Sequence, residues 1–149
     1  MIQKLDLAEI GIAEKIHRVF QVSYAVEASL LGVTDFPPLN RKIKDLMESP
    51  TLFYGCWEDS ILVGVIEIEI LEPYIDIWSL VVDPQYFRRG FAQKLLAYVE
   101  AIYWDKNLVV ETGWGNLPAL TLYQKLGFKI IDRWQTSIGI EKIRLEKVR

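Results

Sequence analysis

Apolar residues in this chain recur first at helical spacing and then in alternation. Ile12, Ile16, Val19 and Phe20, followed by Ser23, fall at steps of three and four, which predicts a helix-rich segment from Ala8 to about Leu31. Ile2 to Leu7 reads as a short strand before it. Gly32 to Leu39, GVTDFPPL, is a turn region, because a residue that precedes proline is pushed out of helical conformation. Asn40 is placed to cap a second helix running to about Glu48. Two strands follow, Thr51 to Trp57 and Ile61 to Leu71, joined by a tight turn at Glu58-Asp59-Ser60, and Tyr74 to Val82 makes a third. A helix from Gly90 to Trp104 sets Phe91, Leu95, Val99 and Ile102 on one face. Leu108 to Thr112 is then a strand, Pro118 to Leu126 a helix ended by Gly127, and the tail holds two strands. About seven strands and about four helices in this order predict an α/β chain with a mixed sheet wrapped by helices on both sides.

Strand periodicity assigns faces. Leu62, Gly64, Ile66, Ile68 and Ile70 are expected on one face, Glu67 and Glu69 on the other, and Asp76 and Trp78 share a face of the next strand. These acids either decorate a solvated sheet face or hold an ammonium group through charge-assisted hydrogen bonds.

Composition narrows the classes. With 149 residues, 51% hydrophobic and 25% charged, the chain reads as a single globular domain over 1–149, without repeats or linkers. A net charge of −3 offers no basic surface for nucleic acid and tolerates a cationic amine. No apolar run approaches membrane-spanning length, and MIQKLDLAEI lacks a signal-peptide core. The single Cys56 has no partner for a disulfide, so a cytoplasmic location is expected. His17 is the only histidine; a metal site is not expected, and Cys56 reads as core rather than as a nucleophile.

The chemistry concentrates in two motifs. In LVVDPQYFRRGFAQKLL, Leu80 to Leu96, an apolar strand ends at Asp83-Pro84 and a loop carries Arg88, Arg89 and Gly90 into a helix. A helix start presents unpaired backbone N–H groups and partial positive charge, so this loop can seat a phosphate or pyrophosphate. Neither Gly-Lys-Ser/Thr nor Gly-x-Gly-x-x-Gly occurs, which excludes the usual nucleotide fingerprints. The second motif is NLPALTLYQKLGF, with Asn116, Ala119, Leu122, Tyr123, Lys125, Gly127 and Phe128 as its marked positions.

Together the two motifs and the element order resemble the Gcn5-related N-acetyltransferases over nearly the whole chain. The loop Arg88-Arg89-Gly90-Phe91-Ala92 resembles that family's coenzyme A pyrophosphate loop, departing from it at Phe87. The resemblance implies that acetyl-CoA is the co-substrate, with Arg88, Arg89, Gly90, Phe91, Ala92 and Gln93 at its pyrophosphate. It also implies that the pantetheine arm lies along Leu80, Val81 and Val82 as an added strand, where backbone N–H groups can polarise the thioester carbonyl.

Asn116 either fixes the pantetheine or caps the following helix. By the same resemblance Glu111 is the general base and Tyr123 the acid that protonates the leaving thiolate; each also has a structural reading, as an ion-paired strand glutamate and as a core tyrosine. Glu67, Glu69, Asp76 and Trp114 are candidates for the acceptor pocket, as are Phe36, Pro37 and Pro38, although aromatics are more often core. The expected partner is an amine acceptor, either a small molecule or a peptide or protein amine, and the family makes a homodimer through the C-terminal strands reasonable. A non-catalytic acyl-CoA-binding domain stays open as the alternative.

Overall fold

The computed structural model describes residues 1–149. In chain order the elements are β1 (Ile2–Lys4), α1 (Ile10–Leu31), α2 (Ile43–Glu48), β2 (Leu52–Glu58), β3 (Ile61–Leu71), β4 (Tyr74–Val82), α3 (Phe91–Ile102), β5 (Asn107–Gly113), α4 (Leu117–Lys125), β6 (Lys129–Gln135) and β7 (Glu141–Lys147). They form the expected mixed α/β architecture, one seven-stranded sheet in the order β1-β2-β3-β4-β5-β7-β6. Only the β4–β5 pair is parallel, and the crossover joining those two strands contains α3, as a parallel pair requires.

Two clusters hold the layers together. Leu5, Ile16, Val19, Phe20 and Leu46 pack with Phe53, Leu62, Val65 and Val81, which seats α1 and α2 on one face of the sheet. On the other face Leu95, Leu96 and Val99 of α3 and Leu120 and Tyr123 of α4 meet Ile66, Ile68, Ile75, Ile77 and Val110. Of the stripe read on α1, Ile16, Val19 and Phe20 are buried and Ile12 and Ser23 are half-buried; on α3 Phe91, Leu95 and Val99 are buried and Ile102 in the last turn is exposed.

Three expectations are corrected. Asn40 does not cap α2. Pro37–Asn40 forms a 3-10 turn, Arg41 leaves it in extended conformation, and α2 starts at Ile43. There the Asp45 carboxylate accepts from the Lys42 N–H at 2.8 Å. Leu62 does not share a face with Gly64 and Ile66. Trp57 pairs with Leu62 and Cys56 with Gly64, so Val63 is an extra residue in β3, and such a bulge reverses the alternation on one side of it. Leu62 accordingly packs under α1 while Val63 and Ile66 face α3. Nor does Glu67 decorate a solvated face, being fully buried.

A second bulge shapes the site. Glu67 pairs with Ser79 and Ile68 with Ile77, so Trp78 is the extra residue in β4. Pairing of β4 with β5 covers Tyr74 to Ile77 against Asn107 to Val110 and stops there. Beyond the bulge the two strands part, and alternate backbone groups of Ser79 to Val82 face a gap instead of a neighbouring strand.

Candidate functional site

A cavity of about 670 Å³ opens where β4 and β5 separate. Trp78, Ser79 and Leu80 line it from β4, Val110 to Gly113 from β5, Tyr24 and Glu27 from α1, and Asn116 and Tyr123 from α4. Its outer rim is Phe36, Pro37 and Pro38 with the segment Thr136 to Ile138, and Arg41 and Lys142 bring positive charge to the wall.

The gap along Leu80 to Val82 leads to the loop before α3. Asp83 accepts from the Gln85 N–H at 3.0 Å and from Arg18 at 2.9 Å, which pins the strand end. Arg88 has φ of 64° and Gly90 of 79°, so the loop turns twice through the left-handed region. Gly90 is the N-cap of α3 and supplies no side-chain cap. The first helical bond runs from the Lys94 N–H to the Gly90 carbonyl, at 3.0 Å. Phe91, Ala92 and Gln93 therefore present the unpaired N–H groups of the first turn.

A Cβ at Gly90 would stand in open space, with no atom within 4 Å. The cradle has room for an anion, and its donors suit one. Because the obstacle at Gly90 is backbone conformation rather than crowding, Gly90→Ala is expected to cost about 1–2 kcal/mol of stability in urea unfolding. An unchanged midpoint would show that the loop relaxes out of the left-handed region.

The two arginines divide their work. Arg89 is held by Glu58 at 2.5 Å and lies over the Tyr86 and Phe91 rings at 5.3 and 5.4 Å, tying the loop to the β2–β3 turn. Arg88 is exposed, while Phe91 is buried in the core, leaving its backbone as its contribution to the cradle.

Asn116 does cap α4, its Oδ1 accepting from the Ala119 N–H at 3.3 Å. Its Nδ2 donates to Glu27 Oε1 at 2.6 Å. Two turns further on, Tyr123 is buried and faces the cavity, with its ring 5.3 Å from that of Phe128. Burial raises its phenol above the ordinary tyrosine range, and Tyr24 and Glu27 add to the shift. The hydroxyl is thus neutral, a donor rather than an acceptor of protons.

The carboxylates separate into distinct environments. Glu111 lines the cavity and faces Arg144 across the β5–β7 ladder, at 3.6 Å. Glu67 lies behind the wall. Arg41 donates to both its oxygens at 2.6 and 2.7 Å, Thr51 at 2.6 Å, Ser79 at 3.1 Å and Ser49 at 3.3 Å. Its acceptor capacity is used up, and its contribution to the cavity passes through Arg41.

Glu69 accepts from the Trp78 indole at 3.3 Å and pairs across the ladder with Asp76. Burial pushes the Asp76 carboxyl up, Glu111 and Glu69 reinforcing this and Arg144 opposing it. Neither Glu69 nor Asp76 is part of the cavity wall, and neither is Trp114, whose ring carries the Arg133 guanidinium 4.1 Å from its centre.

Glu27 is the residue that sequence reading passed over. It hangs from α1 into the cavity, where Thr112 also reaches Oε1, at 3.5 Å. Burial raises its carboxyl above the usual range, opposed by Asn116, Lys142 and Thr112 in that order. A signal was available: Phe20, Tyr24, Glu27 and Leu31 form one helical stripe, and a carboxylate interrupts it.

Comparison with known proteins accords with this geometry. The model of the acetyltransferase (GNAT) family matches residues 14–128. UPF0157 protein YqkA of Bacillus subtilis (strain 168) is 33% identical over 94% of this chain, which spans 41% of that protein. Spermidine N(1)-acetyltransferase of Thermoplasma acidophilum is 27% identical over 70% of this chain and 66% of its own length. The chain thus spans less than two thirds of either relative. The solved structure of the PaiA N-acetyltransferase of Thermoplasma acidophilum, in complex with coenzyme A, superposes with a TM-score of 0.81 at 21% identity, covering 100% of this chain and 98% of that one. By its family match over residues 14–128 and the shared fold, the chain belongs to the GNAT acetyltransferase family.

Proposed function

We propose that this chain is an acetyl-CoA-dependent N-acetyltransferase that moves an acetyl group directly to a primary amine within a ternary complex. The observation that carries the reading is the succession along the chain of a cavity that holds Tyr123, the stretch Leu80 to Val82 beyond the end of the β4–β5 pairing, and the Gly90 turn into α3. Acetyl-CoA would supply an activated acyl carbon as its thioester. The N–H groups at Arg88 to Gln93 would hold its pyrophosphate, and the backbone of Leu80 to Val82 its pantetheine arm.

The remaining work belongs to the chain's side chains. An amine arrives protonated at neutral pH and cannot attack until a carboxylate of the cavity has taken a proton. Tyr123, kept neutral by burial, gives its proton to the departing sulfur. The carboxylates on the wall suit a cationic acceptor, and a relative that carries the name spermidine N(1)-acetyltransferase supports a small polyamine as the first compound to try.

The test is thiol release from acetyl-CoA across polyamines, amino acids, aminoglycosides and peptides. Turnover on one amine class is the expected result. Acetyl-CoA affinity without turnover on any amine would replace the enzyme by an acyl-CoA-binding domain.

A further inference from the structure

We propose that Glu27 is the general base of the reaction, taking the proton from the acceptor ammonium in the cavity that it shares with Tyr123. The assignment rests on the N-acetyltransferase reading above and adds to it the residue that activates the amine. Three carboxylates stand in or against the cavity wall, and their partners separate them. Glu67 is saturated by a bidentate arginine and three hydroxyls. Glu111 already has a charged partner, Arg144, at 3.6 Å. Glu27 is different, because its hydrogen-bond partners are neutral: the Asn116 amide at 2.6 Å and the Thr112 hydroxyl at 3.5 Å, both on Oε1. Those two bonds anchor Oε1 and leave Oε2 for an incoming N–H.

Its surroundings tune it in the right direction. Tyr24 on the same helix, Tyr123 on α4, Glu111 on β5 and Lys142 on β7 share the cavity with it. Lys142 is the cation that acts on Glu27, and it lowers a carboxyl that burial raises more. A base whose proton affinity lies above the ordinary carboxylate range, nearer to working pH, is the more effective one. Asn116 adds alignment: the side chain that caps α4 also holds Glu27, so the base and the helix carrying Tyr123 are located by one residue.

The step balances as follows. One ammonium N–H bond breaks and its proton goes to Glu27 Oε2. The freed lone pair forms the C–N bond to the acyl carbon as the C–S bond breaks. The sulfur takes the Tyr123 proton, and the phenolate is refilled by the second proton that the nitrogen must shed. Glu27 then passes its proton to solvent.

Glu27→Gln keeps an oxygen for Asn116 and Thr112 while removing the basicity, so folding and acetyl-CoA affinity should persist. With acetyl-CoA and the amine of the panel that turns over, spermidine first, kcat/KM of the variant should fall by about 10²–10⁴-fold. The wild-type profile should rise with pH as Glu27 loses its proton, with a midpoint above that of an ordinary glutamate, and the variant should lose this limb. An acidic limb that survives in Glu27→Gln, or that disappears instead in Glu111→Gln, overturns the assignment while leaving the enzyme reading intact. A wild-type protein that turns over no amine overturns both.

Discussion

Tyr123→Phe is expected to lower kcat by about 10²–10⁴-fold, the usual worth of a positioned proton donor, while leaving acetyl-CoA affinity unchanged. Phenylalanine keeps the ring and its edge contact with Phe128, so the change removes one hydroxyl and little packing. In the native protein burial holds that hydroxyl protonated. The loss should therefore be flat across neutral pH instead of growing on one side, because no titration of Tyr123 falls in that window. Steady-state thiol release at saturating amine measures it. Full kcat in the variant would remove Tyr123 from the mechanism and leave the thiolate to depart unassisted.

The largest effect on stability is expected at a residue that touches neither ligand as proposed. Arg41→Met should cost about 3–5 kcal/mol, the penalty for stranding one member of a buried ion pair. For a chain of this size that lowers Tm by roughly 10 °C. Glu67 is fully buried and would keep three hydroxyl donors but no cation. Thermal unfolding of the variant measures the cost; a loss of only about 1 kcal/mol would place it in the lost stacking on Phe20 and Trp78. Activity should fall too, since Ser79, which donates to Glu67, also accepts from Tyr24 on the cavity wall at 2.9 Å.

The order of elements was legible in the chain because each signal is local. Helical spacing marks α1 and α3, Gly90 marks the turn into α3, and Gly127 marks the end of α4. What stayed hidden depends on extra residues and distant partners. A bulge at Val63 or Trp78 adds one residue to a strand without any signature in side-chain type, so alternation read through it puts Leu62 on the wrong face. Glu67 in IEIEIL reads as a solvent-facing acid until Arg41 and Thr51 are brought to it from 26 and 16 residues away.

The ion pair of Glu111 required the β5–β7 register, which links Glu111 to Arg144. The contact of Trp114 likewise needed a distant partner, Arg133 from β6, which stacks on its ring outside the cavity wall. Glu27 is the exception: its place in the apolar stripe of α1 was readable, and a carboxylate in such a stripe is the anomaly worth following.

In mechanical terms the sheet is a book with a short spine. One leaf is β1 to β4 and the other β5, β7 and β6, and the two share only the four paired positions from Tyr74–Asn107 to Ile77–Val110. α1 packs on the first leaf, while α4 runs on from the end of β5 in the second. The proposed base is thus carried by a helix seated on the first leaf, and the proposed acid by a helix that enters from the second and packs against strands of the first. The Asn116–Glu27 hydrogen bond crosses the fore-edge like a clasp. A substitution at Ile75 or Ile77 in that spine is therefore expected to alter the rate of the proposed proton transfers without any contact with substrate.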